Sequence, residues 1–225
     1  MTTPQLLSIQ TAAVTDLPCT GSAEWWDKPW TSAFHKQAVN GRIWLGYEGL
    51  RGDQQADRKN HGGVDKALCV YEATHYPVWF ATLGIDPLPA GAFGENFTVQ
   101  GLPESEVCIG DVYQLGAVRV QVSQPRQPCW KLARRWRLKD FTAHVIAKGW
   151  TGFYFRVLQH GWVEAGTPFT CVERPYPQLS VAHAHAVMYH RQDDLVATAE
   201  LAGCPALAGS WKDALWQRVE GPARP

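Results

Sequence analysis

No two cysteines in this 225-residue chain form a CxxC pair; the six present, Cys19, Cys69, Cys108, Cys129, Cys171 and Cys204, are scattered at long spacings. That scatter argues against a disulfide framework and suits a reducing cytosol. Residues Met1 to Leu17 lack the basic start and sustained apolar stretch of a signal peptide. No window approaches the roughly 18 apolar residues needed to span a bilayer, so a cytoplasmic protein without a membrane partner is expected. Excess charge of one sign is also missing, with 21 basic against 21 acidic side chains. Without a whole-molecule field to hold a polyanion, nucleic acid is not an expected partner, and any anion binding has to be local. Neither G-x-G-x-x-G after a strand nor a Walker loop occurs, so the chain carries no nicotinamide, flavin or nucleotide-phosphate fingerprint.

What is present is a folded protein: 45% of the residues are hydrophobic and eleven are Trp, enough to bury a substantial core in one domain with a small appendage. Over residues 1–173 short runs alternate with Gly and Pro, the pattern of a mostly antiparallel β domain, a barrel or packed pair of sheets. Strands are expected at 43–45, 67–71, 107–115, 118–123, 152–158 and 168–172, with Gly116-Ala117 as a tight hairpin link. Helical patterns fall at 74–82, 130–137 and 139–147, the last ended by Gly149. After Arg174-Pro175-Tyr176-Pro177 the character changes, and residues 176–225 read as three helices. The first is capped by Ser180, the second runs from Asp193 to Gly203, and the third opens at Ser210 with Asp213 at capping-box spacing. Some 50 residues are few for an independent core, so these helices are expected to dock on the β domain or on a second copy in a homodimer.

Cys129 is the most informative residue. It ends Ser123-Gln124-Pro125-Arg126-Gln127-Pro128-Cys129, where the alternating run Val118, Val120, Val122 gives way to a basic helical turn. A thiol near a helix start with Arg126, Lys131, Arg134 and Arg135 close in sequence is set up to ionise, and a thiolate serves both a soft metal and a nucleophile. The competing reading is a buried apolar filler. A second segment, Gly52 to Ala67, supplies Arg58, Lys59, His61 and Lys66 beside Gly62 and Gly63, whose bare backbone N–H groups could cradle a phosphate; otherwise it is a solvated basic turn. Zinc on His61, Cys69 and His75 lacks a fourth partner, and His183 and His185, two apart on a helix, read as surface residues. Three further segments read as structural by pattern: Gly91 to Phe97, with an acid and an amide in a Gly-flanked turn, Gly110-Asp111-Val112, and Lys148 to Arg156. Trp25, Trp26, Trp30, Trp44 and Trp79 read as packing residues.

Taken together these segments cease to be independent. Gly49-Leu50-Arg51-Gly52-Asp53, Gln55-Ala56-Asp57, His61-Gly62-Gly63, Phe93-Gly94-Glu95-Asn96, Ile109-Gly110-Asp111, Ser123 to Cys129 and Thr151-Gly152-Phe153-Tyr154 occur in the order seen in MOSC-domain proteins. The chain resembles the subgroup related to bacterial N-hydroxylaminopurine resistance, from about residue 41 to the C-terminus. The resemblance implies a MOSC-type β-barrel followed by a small three-helix domain, and a molybdenum–pterin cofactor whose metal is held by Cys129. Arg126 would then stand near the cofactor, and Lys59, His61, Gly62, Gly63 and Asn96 would face its phosphate or form the pocket wall. It also implies reduction of a small N-hydroxylated substrate to the amine, with electrons from an external electron-transfer partner. Trp130 follows the Cys where Tyr is usual in the family. The readings weighed against this are a sulfur or cofactor carrier using the same Cys, and a thiol hydrolase with His61 or His144 as base.

Overall fold

The computed structural model describes residues 3–18, 21, 24–84 and 88–221; Cys19 lies outside them. The strands are β1 Gln5–Thr11, β2 Thr15–Leu17, β3 Trp30–Ser32, β4 Gln37–Ala38, β5 Ile43–Gly46, β6 Gly49–Leu50, β7 Leu68–Glu72, β8 Phe97–Gln100, β9 Val112–Leu115, β10 Val118–Pro125, β11 Phe153–Gln159, β12 Gly161–Val163 and β13 Thr170–Glu173. The helices are α1 Arg58–His61, α2 Tyr76–Leu83, α3 Trp130–Trp136, α4 Phe141–Lys148, α5 Val181–Tyr189, α6 Leu195–Ala202 and α7 Gly209–Glu220.

Eight strands form one sheet in the order β13-β9-β10-β11-β7-β8-β1-β4, antiparallel except for the β7–β8 pair. The sheet curls until its ends meet: Leu6 N–H donates to Thr167 O (3.0 Å) and Phe169 N–H to Pro4 O (2.9 Å), just ahead of β13. This is a half-barrel built around β10, whose Val118, Val120 and Val122 are fully buried on alternate positions while Gly116, at φ 57°, turns the chain from β9. Past Val122 the strand is buried on both faces, so Ser123, Gln124 and the following Arg126 are carried into the interior.

The three C-terminal helices add to the same core rather than building their own. Val181, Ala184, Val187, Leu201, Trp211 and Leu215 belong to one apolar cluster with Val120, Val122 and Phe153. A second cluster, Phe34, Tyr71, Tyr76, Trp79, Phe93, Leu132, Phe141 and Val145, seats α2, α3 and α4 on the opposite side of the sheet's edge, with Tyr71 and Phe93 stacked at 4.0 Å. No helix among the described residues is long and apolar enough to cross a membrane.

Several expectations are corrected. The run 107–115 is a strand only from Val112, because Gly110 takes φ +86° and Asp111 folds back to accept from the Cys108 N–H (2.9 Å). β1 and β8, next to the β4 edge of the sheet, lack the strict alternation that marks β10. The third C-terminal helix starts at Gly209 without a capping box; its entry is held by Ala208 N–H donating to Ser123 O (2.9 Å), and Ser210 turns to Gln124. His185 is buried, with Nε2 bonded to Ile146 O at 2.8 Å, so α5 docks through it.

One glycine joins the sheet to the site. Gly152 has φ +73°, and a Cβ there would sit 2.2 Å from Val70 O, while its own carbonyl accepts the Arg126 N–H at 2.9 Å. Gly152→Ala is expected to cost about 3 kcal/mol or more, a fall of roughly 6–12 °C in Tm for a domain of this size. Gly116→Ala, equally left-handed but facing open space, should cost only about 1 kcal/mol. Thermal melts of the two variants check the ranking, and equal losses would contradict it.

Candidate active site

Between the two clusters lies a cleft of about 560 Å³ of atom-free space, counted to its open mouth. Several segments build it, among them Ser32, Ala33, Phe34 and Lys36 at and after the end of β3. The turn from β10 into α3 supplies Arg126, Cys129 and Lys131; the α1 region supplies His61 and Lys66; the turn before β8 supplies Gly94 and Asn96; and the segment around Asp53 closes the near side. Cys69 from β7 and Tyr154 from β11 form the back wall.

Cys129 is the N-cap residue of α3, in extended conformation, with its carbonyl accepting from Leu132 N–H (3.1 Å) and from the Thr142 hydroxyl (3.1 Å). Both flanking helices therefore fix its backbone while the half-buried thiol makes no hydrogen bond among the described residues. The other sulfur, Cys69, differs: burial pushes its pKa up to about 11, so it remains a neutral thiol at physiological pH.

The charges are unequal. Lys36, Lys66, Arg126 and Lys131 line the cleft against one carboxylate, Asp53, and Asp53 is taken by Lys36 in a buried ion pair. Arg126 is 6% exposed, forms no ion pair among the described residues, and has a buried Nη1 without any partner. Its pKa stays raised: burial, the largest single effect, works against the cation, but Cys69, Tyr154, Cys129 and Glu95 together outweigh it. Since Cys69 and Tyr154 are themselves held neutral by burial, their share of that attraction is absent at neutral pH. A guanidinium so placed has room for an anion and, among the described residues, no partner for its Nη1.

His61 sits in the same field. Burial first, then Lys131 and Arg126, lower its pKa to about 4, against smaller upward pull from Asp57. Asn96 reaches the cleft, but its amide is committed to the scaffold: Nδ2 donates to Asp53 Oδ2 (2.8 Å) and Gln10 O (3.2 Å), and Oδ1 accepts from Cys69 N–H (3.1 Å). Asn96 thus fixes Asp53, and through it Lys36, against β7.

The expected residues Cys129, Arg126, His61 and Asn96 come together here; Lys59, Gly62 and Gly63 do not line the cleft. In the short α1 helix, positions two apart point in different directions, so turning His61 inward leaves Lys59 exposed to solvent. Gly62 is required by its own helix end, where a Cβ would meet Arg58 O at 2.9 Å. The basic contribution expected from Lys59 comes from Lys66, in the same sequence segment, and from Lys131. Lys36 and Tyr154 were not singled out, and Cys69 was weighed only as a zinc ligand; no group of three metal-binding side chains exists among the described residues. No hydrogen bond joins Cys129 to His61 or His144 there, and His144 is exposed on α4 away from the cleft.

A curled β half-barrel carrying a thiol beside an unpaired cationic cleft, with three helices appended, is a recognisable class. The chain belongs to the MOSC domain family: the family model matches residues 57–170, and a model described as the YiiM-like, 3-alpha helix domain matches residues 179–221. It is similar to the protein YflK of Bacillus subtilis, 44% identical over 185 residues that cover 82% of this chain and 83% of that one. A protein of Gibberella moniliformis named a reductase is 36% identical over 178 residues, 78% of this chain but 32% of its own length. The crystal structure of YiiM from Geobacillus stearothermophilus superposes with a TM-score of 0.80 at 37% identity, covering 96% of this chain and 99% of that one.

The depressed His61 value gives a pH signature. An unfolded imidazole takes up its proton near its ordinary 6.5, which the folded cleft refuses until about pH 4. Its contribution to stability is therefore complete above pH 6.5 and is lost as the pH falls from there towards 4. Imidazole NMR titration should place the midpoint near 4, and inorganic phosphate should raise it by offsetting Lys131 and Arg126. A midpoint at the ordinary value, unmoved by phosphate, would contradict this electrostatic description.

Proposed function

We propose that this chain is a molybdenum–pterin-dependent reductase that converts small N-hydroxylated compounds to the corresponding amines. The observation that carries the reading is the buried, unpartnered Arg126 guanidinium next to the accessible Cys129 thiol. A soft sulfur donor and an unsatisfied cation in one cleft suit a ligand that combines a soft metal with an anionic group. MOSC domains are associated with molybdenum cofactor binding, and a relative is named a reductase; both support the proposal.

In this reading Cys129 holds the metal, and Arg126, Lys66 and Lys131 hold the phosphate and other anionic atoms of the pterin. When bound, the cofactor supplies two-electron redox chemistry and an acceptor for oxygen, so that N–OH, two electrons and two protons give N–H and water. The chain's own part is placement. Thr142 and the start of α3 hold the Cys129 backbone, the Gly152 carbonyl holds that of Arg126, and the Lys36–Asp53–Asn96 network keeps the opposite wall at fixed distance. His61, neutral at physiological pH, presents an imidazole that can hydrogen-bond a substrate without adding charge. Electrons come from a separate donor, consistent with the absence of a flavin or nicotinamide motif.

Two substitutions test this together. Cys129→Ser should abolish both molybdenum in protein produced in a molybdate-fed host and benzamidoxime reduction; retained activity would refute the assignment. Arg126→Met should stabilise the metal-free protein by about 1–2 kcal/mol, because it removes an uncompensated buried charge, while lowering molybdenum content at least tenfold. A variant that loses stability and keeps its metal would show that Arg126 is structural.

A further inference from the structure

The cleft has an outer lip made of different material. Trp30 and Ser32 are two apart on β3 and share its face; Ser32 lines the cleft, and Trp30, partly buried against the second cluster, continues that face outward from it. Trp130 lies in the chain between Cys129 and Lys131, both lining residues. The two indoles meet at 5.5 Å and 54°. The Arg134 guanidinium is held against both, 4.8 Å from Trp30 and 5.5 Å from Trp130. Arg134 is only 8% exposed; its Nε–H donates to Trp26 O (3.1 Å), and its Nη2 is buried without a partner.

Trp130 nonetheless remains 50% exposed. A single exposed aromatic needs no special account, but this one is clamped by a cation and a second indole, so that it keeps one orientation and an open surface one position along the chain from the candidate metal ligand. A ring fixed before a ligand arrives loses little freedom on binding. Trp79 and Trp211, which serve packing, are almost completely covered.

Resting on the reductase reading above, we propose that Trp30, Arg134 and Trp130 form a preorganised aromatic platform that binds the planar ring of the substrate while its N–OH group lies over Cys129. The ligands it selects are flat, unsaturated N-hydroxylated amidines and bases. Aliphatic N-hydroxylated compounds reach the same sulfur but gain nothing from the platform.

The test compares benzamidoxime with acetamidoxime, using molybdenum-loaded protein reduced by viologen so that no protein donor is needed. Trp130→Leu should lower the benzamidoxime-to-acetamidoxime ratio of kcat/KM about tenfold, the worth of one good stack. Trp130→Tyr should keep that ratio within about twofold of the starting protein, by retaining a stacking ring. Trp216→Leu, on the exposed face of α7, serves as control and should leave it unchanged. Ligand-observed NMR on metal-free protein reads the same preference without turnover: stronger contact by benzamidoxime, lost in Trp130→Leu. If the loaded protein reduces neither compound, the reductase reading falls, and the NMR comparison still decides the platform. A ratio and an NMR preference unchanged by Trp130→Leu overturn the proposal. So does an effect confined to turnover with a protein electron donor, which would make the lip a docking point for that donor.

Discussion

An unpaired guanidinium inside a protein is the constraint on which this architecture turns. Burying a charge without a partner costs several kcal/mol, and Arg126 is buried with one terminal nitrogen that no described residue satisfies. The sheet imposes that position. β10 runs past the end of its apolar alternation, stays covered on both faces, and its ladder with β11 ends where the Arg126 N–H meets the Gly152 carbonyl. The side chain that follows has to enter the cleft. The cost is tolerable because the shared core of half-barrel and C-terminal helices is large, and because Pro125 and Pro128 leave the connecting segment few alternatives.

Everything else in the cleft is arranged so as not to neutralise that charge. The one lining carboxylate, Asp53, is matched by Lys36 and tied to Asn96. Glu95, though buried nearby, spends its oxygens on Gly91 and Phe93 N–H groups and the Thr98 and Tyr76 hydroxyls. Asp65 is drawn off by Arg156, and Asp57 caps α1. A chain with no net charge thereby concentrates uncompensated positive charge in the cleft that Cys129 lines.

What could be read from the sequence follows from this division. The β10 strand, the turn carrying Arg126 and Cys129, the stop of α4 at Gly149 and the Ser180 cap were legible because each rests on local pattern: alternation, proline, a left-handed glycine, a side-chain cap. β1 was not, since an irregularity in its pairing between Leu6 and Ser8 breaks the period of two, and neither was β8, buried at three of its four residues. Lys59 was taken from the family resemblance, and the sequence does not tell that His61 faces in while Lys59, two positions before it in the four-residue helix, faces out. Lys36 carried no signal at all, and Asp53 only as the last residue of a quoted motif, their pairing being a product of the fold. His185 looked like a surface residue because its docking partner, the Ile146 carbonyl, belongs to a helix 39 positions away.

The most direct test of the account is molybdenum K-edge X-ray absorption on protein purified from molybdate-fed cells. If the Arg126 cleft exists to hold an anionic metal cofactor against Cys129, the starting protein will show a molybdenum edge with sulfur scattering, and the serine variant, purified in the same way, will show no molybdenum edge. A scattering shell identical in the two proteins, or no bound molybdenum in either, would contradict it.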